Sequence, residues 1–365
     1  MIARLVAGLC SAAMVIGACS PPASGSAGPP DRARAADQAR TFHTMATADR
    51  WANYGNNINA FCQASFGFDC NRDDRDVGSD LTSGQEVQQW DAERNNPQSV
   101  LADLNLLFIP QAEEAGVLAD YEPPNAGLLP DNLHGPGWVA TFVGVPDILV
   151  NIDALEARQL PIPATWSDLT DARYRGLISM HRVGIAAGGT FAFVAMNLAA
   201  GGTLEDWQPG IEFARRLLPN LNQAPSFETF ASGEVPIALR LDFSSATWLP
   251  RLDEAGVRYR HMIPTEGSVY APATLMLNRY DTAHHDFGKM FLEWVISDEG
   301  QFMFAPSGAR PIRSMLEDNP LVVPAEYRVN WLPDAEYENV AWVDWTLIDP
   351  QALQQMWEEE VVGGS

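Results

Sequence analysis

The sequence predicts an α/β protein with more than one lobe. The chain has 365 residues, which is long for a single hydrophobic core, and 46% of them are hydrophobic. Between Leu275 and Arg313 a short apolar run is followed by a helical pattern and then by a turn containing Gly and Pro. This succession of strand, helix and turn is typical of α/β folds.

The N-terminus has the features of an export signal. Arg4 provides a positive charge, and Leu5 to Ile16 form an apolar segment that is too short to span a bilayer. The segment ends in Ile-Gly-Ala followed by Cys19, which resembles a bacterial lipobox. The resemblance implies a lipoprotein signal peptide at residues 1–18 and lipidation of Cys19. The alternative is an ordinary cleaved secretory signal in which this Cys is incidental.

A flexible tether and a pair of cysteines follow the signal. Residues 19–39 are rich in Pro, Gly, Ser and Ala, a composition that cannot build a core. Cys62 and Cys70 remain as an even pair in an exported domain, so we expect a disulfide bond around a short loop. The alternative is a pair of buried free thiols.

Composition and motifs exclude several classes of function. The net charge is −24 and the isoelectric point about 4.4, so the surface repels nucleic acid and anionic lipid headgroups. The chain contains no G-x-S-x-G, H-E-x-x-H, P-loop, G-x-G-x-x-G or C-x-x-C motif. We therefore predict neither an enzyme nor a bound cofactor. His284 and His285 with nearby acids are the one metal-site candidate, but their position before a helix favours a capping role.

Each segment of the folded part has a recognisable pattern. Phe287, Met290, Phe291, Trp294 and Val295 lie on one face of a predicted helix, and polar residues such as Ser297 are placed as caps for the next one. The other predicted elements are a helix after the caps Thr82 and Ser83, a strand over Val100 to Ile109, an edge or crossing segment over Trp138 to Ile152 with Pro146 inside it, a helix after Gly188-Gly189-Thr190, a buried strand from Val235 to Asp242, and a helix ending at Met356-Trp357.

Several of these segments resemble the solute-binding proteins of bacterial ABC importers. The helix FxEWxxSDEGQ followed by GARPIR, at 291–301 and 308–313, is similar to a recurrent signature of that family. TADRWANYG at 47–55, ERNNPQSVLADL at 93–104 and TWSDLTDARYRGLIS at 165–179 are similar to three more of its segments. The similarity extends over nearly all of residues 47–313. Its branch includes binders of polyamines, ferric iron, thiamine and aminoalkylphosphonates.

The resemblance implies a type II periplasmic-binding-protein fold, in which two α/β lobes close about a hinge and an interlobe cleft. We expect the first lobe to comprise residues 40–145 and 266–315, and the second lobe residues 146–265. Residues 316–365 would form a C-terminal tail that packs on the lobes. The ferric-iron relatives typically use two adjacent tyrosines, and this chain has no Tyr-Tyr pair.

Ligands of α/β lobes meet the loops at the carboxyl ends of strands, so the cleft is the expected site. Its candidate residues mix hydrogen-bond donors, acceptors, one cation and two anions, which suits a small polar or zwitterionic solute such as an amine or a phosphonate. The alternatives are that Trp51 is a core residue, that the glycines serve packing alone, and that Arg240 pairs with Asp242. The candidates are Asp49, Trp51, Asn53, Thr82 and Ser83 on the first lobe, Gly189, Thr190, Arg240 and Asp242 on the second, and Tyr270 at the return crossing.

The resulting expectation is a monomeric, lipid-anchored periplasmic protein that captures a small solute and delivers it to an ABC permease in the inner membrane. It has no nucleic-acid partner. Two alternatives belong to other classes: a secreted hydrolase on an α/β scaffold, and an accessory protein that presents closed lobes to a membrane sensor. A hydrolase would need a nucleophile and a base close together, and no motif supplies them.

Overall fold

The computed structural model describes residues 28–75 and 83–364. The predicted signal segment and Cys19 lie outside these ranges. The helices are α1 (Arg32–Gln38), α2 (Tyr54–Phe66), α3 (Ser83–Ala92), α4 (Ile109–Ala115), α5 (Ile152–Ala157), α6 (Ala187–Ala199), α7 (Gln208–Leu217), α8 (Phe227–Ala231), α9 (Asp242–Ala246), α10 (Leu249–Glu254), α11 (His285–Val295), α12 (Asp298–Phe302) and α13 (Pro350–Met356), the last followed by a π-helical turn at Trp357–Val362. None of these described helices is both long and apolar enough to cross a membrane.

The strands form two main sheets, and with the helices they confirm the predicted α/β class. The strands are β1 (Phe42–Met45), β2 (Arg72–Asp74), β3 (Leu101–Asn105), β4 (His134–Gly135), β5 (Trp138–Gly144), β6 (Pro146–Asn151), β7 (Ile178–Ser179), β8 (Ile237–Leu241), β9 (Tyr259–Met262), β10 (Ser268–Val269), β11 (Ala271–Leu277), β12 (Arg310–Pro311) and β13 (Val340–Ala341).

The larger sheet has seven strands and combines distant parts of the chain. Its order is β2-β1-β3-β11-β5-β12, and β4 also pairs with β5. Strand β11 lies antiparallel between β3 and β5, so Leu275 is opposite Asp103 on one side and Val139 on the other. Every residue of β3, β5 and β11 is buried, which explains their nearly continuous apolar sequences.

The smaller sheet has four strands in the order β7-β8-β6-β9. Strands β7 and β8 are parallel, whereas β6 pairs antiparallel with both β8 and β9. Asp147 of β6 is therefore opposite Arg240 of β8. All four strands come from one continuous stretch of chain, residues 146–262.

Two chain segments connect the two main sheets, the first directly and the second by way of β10. Val145 separates β5 of the larger sheet from β6 of the smaller one, so the predicted crossing segment with Pro146 inside it is confirmed. Tyr270 stands between β10 and β11 on the return path. Near this point β13 of the C-terminal tail pairs parallel with β10. The tail thus adds a third strand beside the two crossings.

Aromatic side chains hold the tail against the rest of the protein. The indole Nε1 of Trp345 donates to the carbonyl of Tyr270 at 3.0 Å, and its ring packs edge-on against Phe191 of α6 at 4.4 Å between centroids. Trp357 packs edge-on against Phe193 of the same helix. The predicted division into two lobes and a tail remains a prediction, with which these contacts agree.

The predicted amphipathic helix is confirmed as α11. Phe287 and Phe291 face Phe61 of α2 in an aromatic cluster, with ring centroids 5.4–5.6 Å apart. The next helix begins as predicted, because the Ser297 hydroxyl accepts a hydrogen bond from the Gly300 backbone N–H at 3.2 Å. Strand β1 is also present, although its sequence alone is a poor strand former.

Cys62 and Cys70 form the predicted disulfide bond. The bond connects the last turn of α2 to the segment that enters β2, across the helix-ending Gly67. Because Cys62 is fully buried, the bond anchors the loop to the core of the larger sheet.

Reducing this disulfide is expected to lower the free energy of unfolding by about 2–3 kcal/mol, because a short closed loop would regain its freedom in the unfolded chain. Urea unfolding with and without dithiothreitol measures the effect. A Cys62→Ser, Cys70→Ser double variant serves as the control, since reductant should leave its midpoint unchanged. Equal midpoints for the native protein in both conditions would contradict the prediction.

Candidate functional site

The two sheets touch where the loop before α2 meets α9. The Trp51 ring packs edge-on against Phe243 with centroids 4.9 Å apart, and Phe243 also packs against Phe142 of β5 at 5.1 Å. Gly144 leaves room for this approach, because a Cβ there would lie 2.8 Å from the Phe243 ring. Phe243 therefore occupies the junction between the sheets, beside one of the predicted site residues.

A buried carboxylate lies beneath Trp51. Asp103 of β3 accepts hydrogen bonds from the indole Nε1 of Trp51 at 2.5 Å and from the hydroxyl of Tyr54 at 3.2 Å. Burial raises the pKa of Asp103 to about 8, and the two hydrogen bonds only partly oppose this shift. The sequence did not single out Asp103, although it is the one acid in the buried strand predicted over Val100 to Ile109.

Asp49 and Asn53, from the same loop, are held by local contacts. The carboxylate of Asp49 is exposed and pairs with the Arg72 guanidinium, which also donates to the carbonyl of Thr47 at 2.6 Å. Asn53 has a φ of 63° and donates its side-chain amide to the carbonyl of Met303 at 2.6 Å. Asp49 faces solvent, whereas Asn53 links the loop to the end of α12.

Ser83 begins α3 beside the carboxyl end of β3. Its hydroxyl accepts a hydrogen bond from the Asn105 backbone N–H at 3.3 Å. The other residue predicted in this region, Thr82, lies outside the described residues. Ser83 therefore sits at the strand end where the sequence placed it, and part of its hydrogen-bonding capacity is used there.

Gly189 and Thr190 lie in the first turns of α6. A Cβ at position 189 would lie 2.1 Å from the carbonyl oxygen of His181, so close packing alone requires glycine there. The Thr190 hydroxyl donates to the carbonyl of Ala186 at 3.0 Å and accepts from the Gly184 backbone N–H at 2.8 Å. Both residues thus shape the start of the helix.

Arg240 belongs to a network that does not include Asp242. Its guanidinium lies 3.6 Å from the centre of the Trp248 ring and donates to the Ser244 carbonyl at 2.9 Å. Its backbone N–H donates to the Asp147 carboxylate at 3.2 Å, and Asp147 also lies 2.8 Å from Nε2 of His261. Burial lowers the pKa of Arg240 to about 9. Asp147 and His261 had no sequence signal beyond their position in buried strands.

Asp242 stands at the crossing between the sheets. One carboxylate oxygen accepts from the backbone N–H groups of Val145 and Phe243, at 2.9 and 2.8 Å, and the other accepts from the Tyr337 hydroxyl at 2.5 Å. Burial raises the pKa of Asp242 to about 6. Its oxygens are engaged by the first crossing, by α9 and by the tail, so Asp242 joins three segments.

Tyr270 lies on the return crossing, close to the same region. Its ring packs against Trp342 with centroids 4.8 Å apart. The pKa of its hydroxyl is raised, first by burial, and it senses the charges of Arg310 and Asp242. Arg310 lies 3.6 Å from the centre of the Tyr337 ring. Asp242 and Tyr270 thus share one electrostatic neighbourhood, to which Arg310 also belongs.

The residues considered for a metal are used in local hydrogen bonds. Nδ1 of His284 lies 2.9 Å from the carboxylate of Asp281, and Nε2 of His285 lies 2.8 Å from the carbonyl oxygen of Asn278. Within residues 28–75 and 83–364, no group of three His, Cys, Asp or Glu side chains is placed to hold a metal ion.

Most of the chain matches a known protein family. Residues 104–349 match the family described as bacterial extracellular solute-binding protein. This family consists of binding proteins and not of enzymes. A curated relative, an uncharacterized protein of Haemophilus influenzae (strain ATCC 51907 / DSM 11121 / KW20 / Rd), is 26% identical over 236 residues. The alignment covers 60% of this chain and 64% of that relative's length.

Solved structures share the fold at low sequence identity. The periplasmic binding protein AfuA of Actinobacillus pleuropneumoniae, solved with fructose-6-phosphate, matches with a TM-score of 0.64 and 18% identity over 88% of this chain and 98% of its own. Iron-bound HitA of Pseudomonas aeruginosa matches with a TM-score of 0.63 and 16% identity over 87% and 98% of the two chains. These likenesses confirm the predicted periplasmic-binding-protein fold.

Proposed function

Because the chain belongs to the family of bacterial extracellular solute-binding proteins, we propose that it is the solute-binding component of an ABC importer. It would capture a small polar solute and deliver it to a permease in the inner membrane. The observation that carries the proposal is the family match over residues 104–349, which spans the smaller sheet, both crossings and the central strands of the larger sheet. The fold is consistent with this role.

The site we propose is the junction between the two sheets. The larger sheet, with its helices, would be the first lobe (residues 40–145 and 266–315), and the smaller sheet the second lobe (146–265). The crossings at Val145 and Tyr270 are the natural hinges, because few residues connect the sheets there. Trp51 and Phe243, which touch across the junction, would separate when the lobes open.

The solute we propose is small and carries a charge, as an amine or a phosphonate does. Arg240 at the end of β8 and Asp49 in the loop that follows β1 would supply a cation and an acid from opposite sides of the junction. The hydroxyl of Ser83 and the start of α6 would complete the set of polar groups around the solute. The similar structures include AfuA with fructose-6-phosphate and iron-bound HitA, which supports a charged solute, and Asp103 beneath Trp51 is a further acid at this place.

The cellular location that we propose is the periplasm. The family is extracellular, which supports export, and the lipobox-like residues before Cys19 support a lipid anchor on the membrane. Two or more acyl chains would hold the protein stably, with residues 19–39 as a tether. The proposed working form is a monomer.

A thermal-shift screen of the soluble domain tests the proposed function. The panel contains polyamines, thiamine, aminoalkylphosphonates, phosphate, sulfate, ferric citrate and amino acids. A solute present at about 100 times its Kd is expected to stabilise the native state by about 2.7 kcal/mol, a rise in Tm of about 5 °C. A saturable shift from one chemical class identifies the solute.

The variant Arg240→Gln locates the site, and Arg258→Gln is its control. Arg258 is an exposed arginine immediately before β9 of the same sheet, and it pairs with Asp153 and Glu156. We expect the apparent affinity for the solute, measured from the ligand-induced rise in Tm, to fall at least tenfold in Arg240→Gln. Arg258→Gln should keep the native affinity. Unfolding without ligand checks that both variants are folded. A shift that survives in folded Arg240→Gln would exclude this junction, and a panel without any shift would count against the proposed solute class.

A further inference from the structure

A cavity lies between the C-terminal tail and loops next to the larger sheet. We call it the tail groove: it is bounded by residues 127–133, by residues 315–318 and by the tail residues 342–346, with a volume of about 730 Å³. This volume is within the range of small-molecule sites, about 300–1,000 Å³. Leu106, which follows β3, and Pro272 of β11 connect this lining to the larger sheet.

The tail groove is separate from the junction proposed above. None of the described residues that line it belongs to the segment 146–265, which supplies the smaller sheet. Trp51, Phe243 and the other residues of the junction are not part of its wall. A ligand in the groove would therefore contact the larger sheet and the tail alone.

The wall of the groove is apolar and its charges are all negative. Leucine, proline, methionine and tryptophan side chains make up most of the lining, while Glu317, Asp318 and Asp344 supply three carboxylates. Among the described residues that line it, none is Lys, Arg or His. The nearest arginine along the chain, Arg313, is already paired with Asp298 at 2.5 Å. If the ligand of this groove is charged, the carboxylates favour a cation over an anion.

An aromatic face completes the wall. Trp342 is 41% exposed, and its ring packs against Tyr270. Indole rings bind cations over their faces, an interaction of about 0.5–2 kcal/mol. Asp344, two residues further, is held in place because its carboxylate accepts from the Thr346 backbone N–H at 3.0 Å and from its hydroxyl at 2.6 Å.

From this wall we infer a second ligand site in the tail groove, for a small organic cation with an apolar body, such as an aromatic amine. The apolar part lies on the leucine and proline side chains, and the ammonium group lies between the Trp342 ring and the carboxylates of Glu317 and Asp318. An anion is repelled, and a neutral molecule of the same shape gains only the apolar contact. The site is independent of the solute proposed for the junction.

Isothermal titration calorimetry with three matched probes tests the inference. Naphthylethylamine, naphthylethanol and naphthylacetate share one apolar body and differ in the charge of the head group. We expect the amine to bind at least about tenfold more tightly than the alcohol, and the acetate not to bind. Equal binding of the three probes, or no binding of the amine, would overturn the inference.

Two charge-matched double variants distinguish the groove from general attraction to an acidic protein. Glu317→Gln with Asp318→Asn is expected to weaken amine binding by about five- to tenfold, and Trp342→Leu to weaken it comparably. Glu326→Gln with Glu338→Gln removes the same charge from exposed tail positions that do not line the groove, and it should leave binding unchanged. Equal weakening in both double variants would mean attraction to the net charge alone and would overturn the site.

Discussion

The variant Asp103→Asn is expected to be more stable than the native protein above neutral pH, by several kcal/mol at pH 8. The Asp103 carboxyl is buried between Trp51 and Tyr54, and its pKa is raised from an ordinary value of 3.8 to about 8. Asparagine keeps the oxygen that accepts from Trp51 and never ionises, so the variant avoids the cost of a buried charge.

The sign of the pH dependence follows from the two pKa values. Because the native state holds this proton more tightly than the unfolded chain, its contribution to stability is complete below pH 3.8 and is lost as the pH rises to about 8. Each unit of pKa shift corresponds to about 1.4 kcal/mol. The carboxyl of Asp242, with a pKa of about 6, adds a smaller loss over the lower part of the same range.

Urea unfolding at intervals of pH measures this dependence. The free energy of unfolding of the native protein should fall steadily between pH 4 and pH 8, and most of that slope should be absent in Asp103→Asn. Asp120→Asn, at an exposed position, is the matched control and should follow the native curve. If the curves of Asp103→Asn and of the native protein run parallel, Asp103 is ionised in the native state at little cost and the prediction is wrong.

Asp242→Ala is expected to lower the free energy of unfolding by about 3 kcal/mol or more at pH 7. The change leaves three buried donors without their acceptor, namely the backbone N–H groups of Val145 and Phe243 and the hydroxyl of Tyr337. Each buried donor left unsatisfied costs about 1–3 kcal/mol, and the removal of a partly ionised buried acid offsets a fraction of the total.

Two further variants separate the contributions at this position. Tyr337→Phe removes only the bond from the tail and should cost about 1 kcal/mol, because the two backbone bonds remain. Asp334→Ala removes an exposed acid of the same tail, whose partner is Arg310, and should cost less than about 1 kcal/mol. Equal losses in Asp242→Ala and Asp334→Ala, measured by urea unfolding, would show that the bonds of Asp242 do not hold the crossing.

Local elements of the fold could be predicted because their signals are local. The apolar spacing of Phe287 and Phe291 and the cap at Ser297 depend on residues within a few turns, and α11 and α12 form as that pattern indicates. The crossing at Pro146 was also predictable, because a proline inside a long apolar run breaks the ladder of a single central strand.

The candidate site was harder to predict because burial determines the hydrogen-bond partners and the pKa values of its polar groups. The sequence offered a pair between Arg240 and Asp242 as one alternative, yet β8 ends before Asp242, which begins α9, and the two side chains make different hydrogen bonds. Asp103 and Asp147 gained their partners through strand pairing and packing between distant segments, which spacing cannot reveal. The binding roles of the candidate residues stay predictions.

The central position of β11 fixes an order of events during folding. The four strands of the smaller sheet are contiguous in sequence, so that sheet can form as soon as residues 146–262 are available. The larger sheet cannot, because β11 must insert between β3 and β5, and Leu275 pairs with Asp103 from 172 positions away. Such non-local pairing slows folding. The N-terminal strands of the larger sheet therefore stay incompletely paired until β11 is in place. A slow refolding phase is expected to correspond to the completion of this sheet.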